Sequence, residues 1–135
     1  METLYPLKFT PILKDKIWGG TQLQQLFRKI SASDKLGESW ELSGYNDDLS
    51  VVKNGAFAGK NIMELIEIYK DELVGKQIYD RFGNQFPLLF KLIDANDDLS
   101  IQVHPDDEVA MERHQSFGKT EMWYILDSEP GAKLY

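Results

Sequence analysis

The stretch LSIQVHPDD at residues 99–107 and the stretch GKTEMW at residues 118–123 are the most informative parts of this chain. Side chains on a β-strand alternate between two faces, so Gln102 and His104 are predicted to share one face while their apolar neighbours pack on the other. Glu121 lies in a second strand-like run. Imidazole nitrogen, carboxylate oxygen and amide oxygen suit zinc or a neighbouring divalent first-row metal. The spacing therefore predicts a metal site at a strand end, although on its own it also fits a hydrogen-bonded structural histidine.

A longer series of motifs resembles one enzyme family. The run FPLLFKLIDANDDLSIQVHPDD at residues 86–107, followed by GKTEMWYIL at residues 118–126, resembles the type I mannose-6-phosphate isomerases. Upstream, GESWELS at residues 37–43 and IWGG at residues 17–20 fit the same family. The resemblance implies a mainly β chain with helical insertions, folded as a cupin-type, jelly-roll-like β-barrel.

The resemblance also predicts how much of that barrel is present. Family members are much longer than 135 residues, and no linker or internal repeat marks a domain boundary. We therefore expect residues 1–135 to form a single unit, the N-terminal portion of a cupin-type isomerase, with the remaining barrel strands and the C-terminal region absent. An incomplete barrel would expose sheet edges that can pair with another copy of the chain.

The resemblance implies a metal site and names its ligands. Carried over by motif, Gln102, His104 and Glu121 would hold one zinc ion, whereas the family's fourth ligand, a later histidine, has no counterpart. His114 is the only other histidine, and its polar neighbours predict a solvated position on a helix. Cysteine is absent, so any metal must be held by nitrogen and oxygen.

Two lysines match active-site residues of the family. Lys91 stands in an otherwise apolar run, where a charged side chain is costly to bury, and this position indicates a pocket. The alternative is a lysine that extends its charge to solvent from an edge strand or pairs with a carboxylate. Lys119 lies two residues before Glu121, where a surface lysine would be the default without the resemblance. By resemblance, both lysines are expected to have catalytic roles.

Aromatic and acidic residues complete the predicted site. Trp18 and Glu38 match substrate-binding residues of the family, although Trp18 could simply fill a barrel end and Glu38 could cap a turn. Trp40 and Trp123 are predicted to be core aromatics on strands. Asp106 or its neighbour Asp107 is predicted to cap the helix that follows.

The resemblance implies an aldose-ketose isomerase that interconverts mannose 6-phosphate and fructose 6-phosphate by proton transfer through a cis-enediol. The main rival is a non-catalytic cupin fragment that binds sugar or metal without turnover. A metal-dependent oxygenase on the same barrel would need two histidines and one carboxylate, and only one suitable histidine is present.

Composition limits the partners. The net charge of −7 argues against nucleic acid or an anionic membrane surface, because both attract basic proteins. No run approaches the ~20 apolar residues of a membrane span, and the first residues lack the pattern of a secretory signal. We therefore expect a cytoplasmic protein that binds a phosphorylated sugar.

Local patterns predict the elements that position these residues. Apolar periodicity, capping residues and turn residues predict helices at residues 21–28, 61–74, 76–82 and 107–117. Alternation and β-branched runs predict strands at residues 38–43, 49–53, 87–93, 99–104 and 121–126. The first two of these strands are expected to form a hairpin, preceded by an N-terminal arm with a turn at residues 18–20.

Overall fold

The computed structural model describes residues 2–134 and divides into two compact units, one ending at Leu99 and the other beginning at Ser100. The strands are β1 (Phe9–Thr10), β2 (Ile12–Gly20), β3 (Leu36–Tyr45), β4 (Asp48–Leu49), β5 (Val51–Val52) and β6 (Leu89–Ile93). The helices are α1 (Gln22–Phe27), α2 (Ile62–Tyr69), α3 (Asp71–Val74), α4 (Lys76–Phe82) and α5 (Asp107–His114), with a 3₁₀ turn at Gly55–Phe57.

The long strand β3 is the centre of the first unit. It pairs antiparallel with β2 along one edge and with β6 along the other, while its end forms a hairpin with β4. A separate ribbon joins β1 to β5. The sheets remain open over the described residues, and the predicted β-rich architecture with helical insertions is confirmed.

The N-terminal region differs from its prediction. We expected an arm and a turn at residues 18–20, but this region belongs to the nine-residue strand β2. The charged run of Lys14, Asp15 and Lys16 conceals the strand pattern, and the ladder to β3 is irregular from Lys14 onward. Gly19 and Gly20 permit close approach to neighbouring backbone and side chains rather than forming a turn.

A small apolar core lies beneath the short ribbon. Val52, Phe57, Leu65 and Tyr69 are buried together. Tyr5 stacks on Phe57 with ring centroids 5.1 Å apart, and its hydroxyl donates to the Asn54 carbonyl at 2.8 Å. Gly55 has a φ of 65°, and a Cβ there would lie 2.5 Å from the Tyr5 ring, so glycine meets both a conformational and a steric requirement.

The predicted helix over residues 61–74 is present but interrupted. Asn61 and Glu64 form a capping box at the start of α2, in agreement with the local sequence. Lys70 then adopts a φ of 50°, which ends α2 before α3 begins. The helix at residues 76–82 and the strand within residues 87–93 are confirmed.

The second unit contains one regular element among the residues that the structure describes, the helix α5. Asp106 caps it by accepting a hydrogen bond from the Val109 amide at 2.9 Å, as predicted. His114 is its last residue and is exposed, which confirms the expected solvated position. The helix ends three residues earlier than predicted because Gln115 adopts a left-handed conformation with a φ of 51°.

Two predicted strands are wrong. Residues 99–104 and 121–126 have no ladder partner in the described chain and form no strand. Ile101 and Val103 were expected to pack, but they are 89% and 94% exposed. A strand requires hydrogen bonds from a neighbour, so alternation in the sequence is not sufficient to form one.

No helix within residues 2–134 combines the length and the apolar character that crossing a membrane requires.

Candidate functional site

Glu38 lies near the start of β3, the central strand of the first unit. Its cross-strand neighbours are Lys14 on β2 and Ile93 on β6. The residue is only 7% exposed, because strands flank it on both sides. The suggested role of Glu38 as a simple turn cap is therefore wrong, since the residue is part of a paired strand.

Both oxygens of the Glu38 carboxylate have donors. The Trp40 indole Nε1 donates to Oε2 at 2.7 Å, and the Lys91 ammonium donates to Oε1 at 3.1 Å. Lys16 Nζ lies 3.9 Å from Oε2. Glu38, Trp40, Lys91, Lys16 and Lys14 are called the Glu38 cluster below.

The donors around Glu38 determine its protonation. Burial favours the neutral acid, but the indole hydrogen bond and the charges of Lys91 and Lys16 oppose it more strongly. The pKa of Glu38 is consequently lowered from its ordinary value. The carboxyl group is therefore held as an anion that can accept hydrogen bonds.

Trp40 is not the core aromatic that the sequence suggested. Its ring is half-buried, with Lys14 Nζ 4.9 Å and Lys91 Nζ 5.9 Å from the centroid. Such distances permit cation–π attraction. Lys14 also pairs with Asp48 at 2.6 Å, so the ring lies within a network of charged groups. The prediction failed because residue type alone does not reveal cross-strand partners.

Trp18 lies near the end of β2, with its ring over the β3 backbone. A Cβ on Gly37 would approach the Trp18 ring to 2.8 Å, so the glycine leaves room for the indole. The Trp18 carbonyl accepts hydrogen bonds from the amides of Asn96 and Asp97 at 2.9 and 3.1 Å. These contacts give Trp18 a structural role, and its predicted role in substrate binding stays a prediction.

The sequence allowed two interpretations of Lys91, a pocket residue and a lysine that reaches solvent or pairs with a carboxylate, and the structure bears on both. It lies on β6, which pairs only with β3 among the described strands, and it forms an ion pair with a carboxylate, as the alternative stated. That carboxylate is Glu38, itself a predicted pocket residue. The structure thus joins two of the predicted site residues, and the catalytic role of Lys91 stays a prediction.

In the second unit, backbone contacts bring the two informative stretches together. The Lys119 amide donates to the Pro105 carbonyl at 3.3 Å, and the Gly118 amide donates to Asp107 Oδ1 at 2.9 Å. A Cβ on Gly118 would lie 2.6 Å from the backbone carbon of Asp106. Glycine is therefore required for this close approach, which places Glu121 beside His104.

His104 and Glu121 form the centre of a second group of polar side chains. His104 Nε2 lies 3.3 Å from Glu121 Oε2, and Lys119 Nζ lies 2.8 Å from Glu121 Oε1. The Trp123 indole donates to Oε2 at 3.4 Å, a long hydrogen bond. These four residues are called the Glu121 cluster below.

The Glu121 carboxyl group is also held as an anion. The hydrogen bond from Lys119 is the largest cause, the Trp123 indole adds to it, and partial burial opposes both. The pKa of Glu121 is lowered from its ordinary value as a result. Trp123 itself is 43% exposed and lies outside any strand, so its prediction as a core aromatic is wrong.

Gln102 is exposed, and its amide nitrogen donates to Ser100 Oγ at 3.1 Å. Within residues 2–134 no hydrogen bond joins Gln102 to His104 or Glu121. Its assignment as a metal ligand stays a prediction.

The His104 and Glu121 donor atoms fit a shared metal ion. Two ligand atoms about 2.0–2.2 Å from a tetrahedral zinc lie about 3.3–3.6 Å apart, and the observed separation is 3.3 Å. Lys119 contacts the other oxygen of the Glu121 carboxylate, Oε1, so Oε2 is the oxygen that faces the histidine. Among the described residues, no group of three histidine, cysteine, aspartate or glutamate side chains could hold a metal. The pair therefore fits zinc but needs additional ligands of other types.

Three members of the Glu38 cluster were not predicted as site residues: Lys14, Lys16 and Trp40. One sequence signal could have indicated Trp40, because ESW at residues 38–40 and EMW at residues 121–123 have the same spacing. In both, the indole donates to the glutamate two positions earlier. Lys14 and Lys16 join the cluster from the neighbouring strand, Lys14 opposite Glu38 in the register and Lys16 with its Nζ 3.9 Å from the Glu38 carboxylate.

Comparisons with known sequences match nearly the whole chain to one family. Residues 6–130 match the family model described as phosphomannose isomerase type I, catalytic domain. The chain is 42% identical over 133 residues to mannose-6-phosphate isomerase ManA of Bacillus subtilis, covering 98% of this chain and 40% of that protein. It is 39% identical to the mannose-6-phosphate isomerase of Streptococcus mutans, with 96% and 39% covered. The chain thus spans about two fifths of the length of these curated relatives.

Solved structures support the same fold. The crystal structure of the mannose 6-phosphate isomerase from Bacillus subtilis matches with a TM-score of 0.82 and 42% identity, covering 92% of this chain and 38% of that one. A variant phosphomannose isomerase from Salmonella typhimurium matches with a TM-score of 0.66 and 26% identity, covering 78% and 27%. The cupin-type fold is therefore confirmed, and the chain belongs to the type I phosphomannose isomerase family.

Proposed function

We propose that the chain acts as a metal-dependent aldose-ketose isomerase that interconverts mannose 6-phosphate and fructose 6-phosphate. The reaction would transfer a proton between C1 and C2 through a cis-enediol. The contact of His104 with Glu121, in a chain that belongs to this family, is the observation that most supports the proposal.

In the second unit, His104 and Glu121 would hold the metal, with Gln102 as a further ligand. When bound, zinc would supply electrostatic stabilisation for negative charge that develops on the sugar oxygens. Lys119 keeps Glu121 ionised through its hydrogen bond at 2.8 Å, and its remaining N–H groups can donate to a sugar or phosphate oxygen.

In the first unit, Glu38 and Lys91 would bind the sugar. The buried anion of Glu38 accepts hydrogen bonds from hydroxyl groups, and the Lys91 ammonium donates to oxygen. An aldose-ketose isomerisation requires an orientation that brings C1 and C2 to the proton-transferring group, and fixed donors and acceptors supply orientation. Trp18 would bound the site at the end of β2.

A non-catalytic sugar- or metal-binding cupin fragment is the second candidate. It is favoured by the incomplete ligand set, since the described residues bring only His104 and Glu121 into contact. The same residues would then bind zinc or a sugar phosphate without turnover.

Partners and location follow from the proposed reaction. A phosphorylated sugar is the proposed partner, and nucleic acid and membranes are not, given the net charge of −7. Sugar-phosphate metabolism favours the cytoplasm. The open sheets favour pairing between copies along their edge strands, and the exposed apolar side chains of Ile101, Val103 and Met122, which lie outside any strand, favour association as well.

A coupled isomerisation assay on the 135-residue chain with added zinc tests the proposal. We expect conversion of mannose 6-phosphate that is lost in Lys91→Met and in Lys119→Met. Tyr79→Phe, which removes an exposed hydrogen bond to Asn84, is the matched control and should retain activity. Zinc or sugar binding without turnover would support the second candidate and contradict the isomerase. Absence of binding and of turnover would contradict both.

A further inference from the structure

We propose that Trp40 is a positioning residue that orients the Glu38 carboxylate and the Lys91 ammonium for sugar binding. The proposal rests on the proposed function, because it takes Glu38 and Lys91 to be sugar-binding groups. Every residue involved lies in the first unit, and none of them is a proposed metal ligand.

Strand geometry makes the contact between Trp40 and Glu38 possible. Residues two apart on a strand point to the same face, so an indole at position 40 lies beside a carboxylate at position 38. The N–H donates to Oε2 at 2.7 Å, a short bond typical of an ionised acceptor. An indole is large and has few rotamers, so it fixes the carboxylate at little cost in entropy.

Trp40 also lies close to two positive charges. In the strand register it is opposite Ile12 on β2 and Lys91 on β6. Lys14 and Lys91 are both within cation–π range of its centroid, at 4.9 and 5.9 Å. Lys14 pairs with Asp48, whereas Lys91 makes the shorter of the two lysine contacts with Glu38, at 3.1 Å against 3.9 Å for Lys16.

The two hydrogen-bond donors fix the orientation in which the Glu38 carboxylate meets a ligand. Trp40 occupies Glu38 Oε2 and Lys91 occupies Oε1, so the carboxylate plane is fixed by two donors of different kinds. Three lysines face two carboxylates, Glu38 and Asp48, which leaves one positive charge in excess. An anionic, hydroxyl-rich ligand such as a sugar phosphate matches both the acceptor and the excess charge.

Trp40→Phe tests the proposal because it keeps an aromatic ring and removes the N–H. Two quantities are measured on the full chain: the Glu38 carboxyl pKa by carbon-detected NMR titration, and the affinity for mannose 6-phosphate by calorimetry. We expect the Glu38 pKa to rise and the affinity to fall about five- to tenfold, since a charge-assisted hydrogen bond is lost. Tyr79→Phe should change neither quantity.

A double-mutant cycle distinguishes positioning from simple packing. If Trp40 acts through the carboxylate, Trp40→Phe should have almost no further effect on affinity in a Glu38→Gln background. An equal loss of affinity in both backgrounds would overturn the proposal. So would a folded Trp40→Phe chain in which either the Glu38 pKa or the affinity is unchanged.

The unmodified chain provides a measurement that does not depend on folding of a variant. The Trp40 indole N–H resonance should move during acid titration with the midpoint of the Glu38 carboxyl resonance. An indole resonance that does not shift during this titration would overturn the positioning contact. Failure of the unmodified chain to bind mannose 6-phosphate would instead overturn the proposed function. If the indole and carboxyl resonances still shifted together in that case, the contact of Trp40 with Glu38 would stand and its role in sugar binding would be overturned.

Discussion

The Glu38 cluster and the Glu121 cluster use the same residue types in different surroundings. In each, a glutamate accepts a hydrogen bond from a tryptophan two positions later and from a lysine. The indole bond is 2.7 Å at Glu38, on a strand with neighbours on both sides, and 3.4 Å at Glu121, where no strand forms. The comparison indicates that strand pairing, rather than the E-x-W spacing alone, determines how tightly the carboxylate is held.

The different surroundings of Glu38 and Glu121 also suit the two carboxylates to different chemical roles. Glu38 has donors on both oxygens, an indole and ammonium groups, which suits recognition of a polar ligand. Glu121 Oε2 accepts a long indole hydrogen bond and lies 3.3 Å from an imidazole nitrogen, an arrangement of donor atoms that suits a metal.

The largest expected difference between the two clusters is in the stability lost when the carboxylate of each is removed. Glu38→Ala leaves Trp40 and the half-buried Lys91 without their acceptor, and we expect a loss of about 2–3 kcal/mol. Glu121→Ala leaves partners that water can reach, so we expect a loss below about 1 kcal/mol. Urea unfolding followed by circular dichroism measures both, and equal losses would refute the proposed effect of strand pairing.

The two tryptophans provide the next test. Trp40→Phe should lower the free energy of unfolding by about 1–2 kcal/mol because a charge-assisted hydrogen bond disappears. Trp123→Phe should lower it by less than about 0.5 kcal/mol, since its bond is long and the residue is exposed. The same urea experiment gives the answer, and a larger effect at Trp123 would reverse our interpretation.

Acid should weaken the first unit through Glu38. Its pKa is lower in the folded chain than in the unfolded chain, so ionisation of Glu38 contributes stability above the unfolded value of about 4.3. That contribution is lost as the pH falls through the folded pKa. The stability difference between the unmodified chain and Glu38→Gln should therefore shrink in acid, as measured by urea unfolding from pH 7 to pH 3. A difference that is constant over this range would contradict the prediction.

The smallest effect is expected at the exposed apolar residues of the second unit. Val103→Thr should change the free energy of unfolding by less than about 0.5 kcal/mol, because Val103 is 94% exposed. Val52→Thr, at a residue that is 1% exposed, is the matched control and should be clearly destabilising. A large loss at Val103 would mean that this residue packs in solution, for example against another copy, and sedimentation would identify such pairing.

Elements were predictable where one local signal determined them. The helical spacing of apolar residues over 61–74 located α2, and the apolar run around Lys91 located β6. The strand β2 was missed because its charged residues find partners only across the sheet, as Lys14 does with Asp48. Residues 99–104 were assigned wrongly because an alternating pattern does not supply a neighbouring strand.

The candidate site was likewise predictable where a local pattern or the family resemblance determined it. His104 and Glu121, separated by 16 intervening residues, were grouped first by residue type and strand-like spacing and then by family resemblance, and their contact depends on Gly118 lying against the backbone of Asp106. The partnership of Glu38 with Lys91 and the nearness of Lys14 needed strand register, which the sequence does not state. Side-chain pairing across the sheet was therefore the part that sequence reasoning could not reach.

Zinc stoichiometry tests most directly the claim that the two clusters have different roles. The unmodified chain, Glu38→Ala and His104→Ala would be saturated with zinc, separated from free metal and analysed by elemental mass spectrometry. We predict about one zinc per chain in the first two and none in His104→Ala, because the imidazole and the Glu121 carboxylate form the metal site. Zinc retained in His104→Ala, or absent from the unmodified chain, would contradict the account.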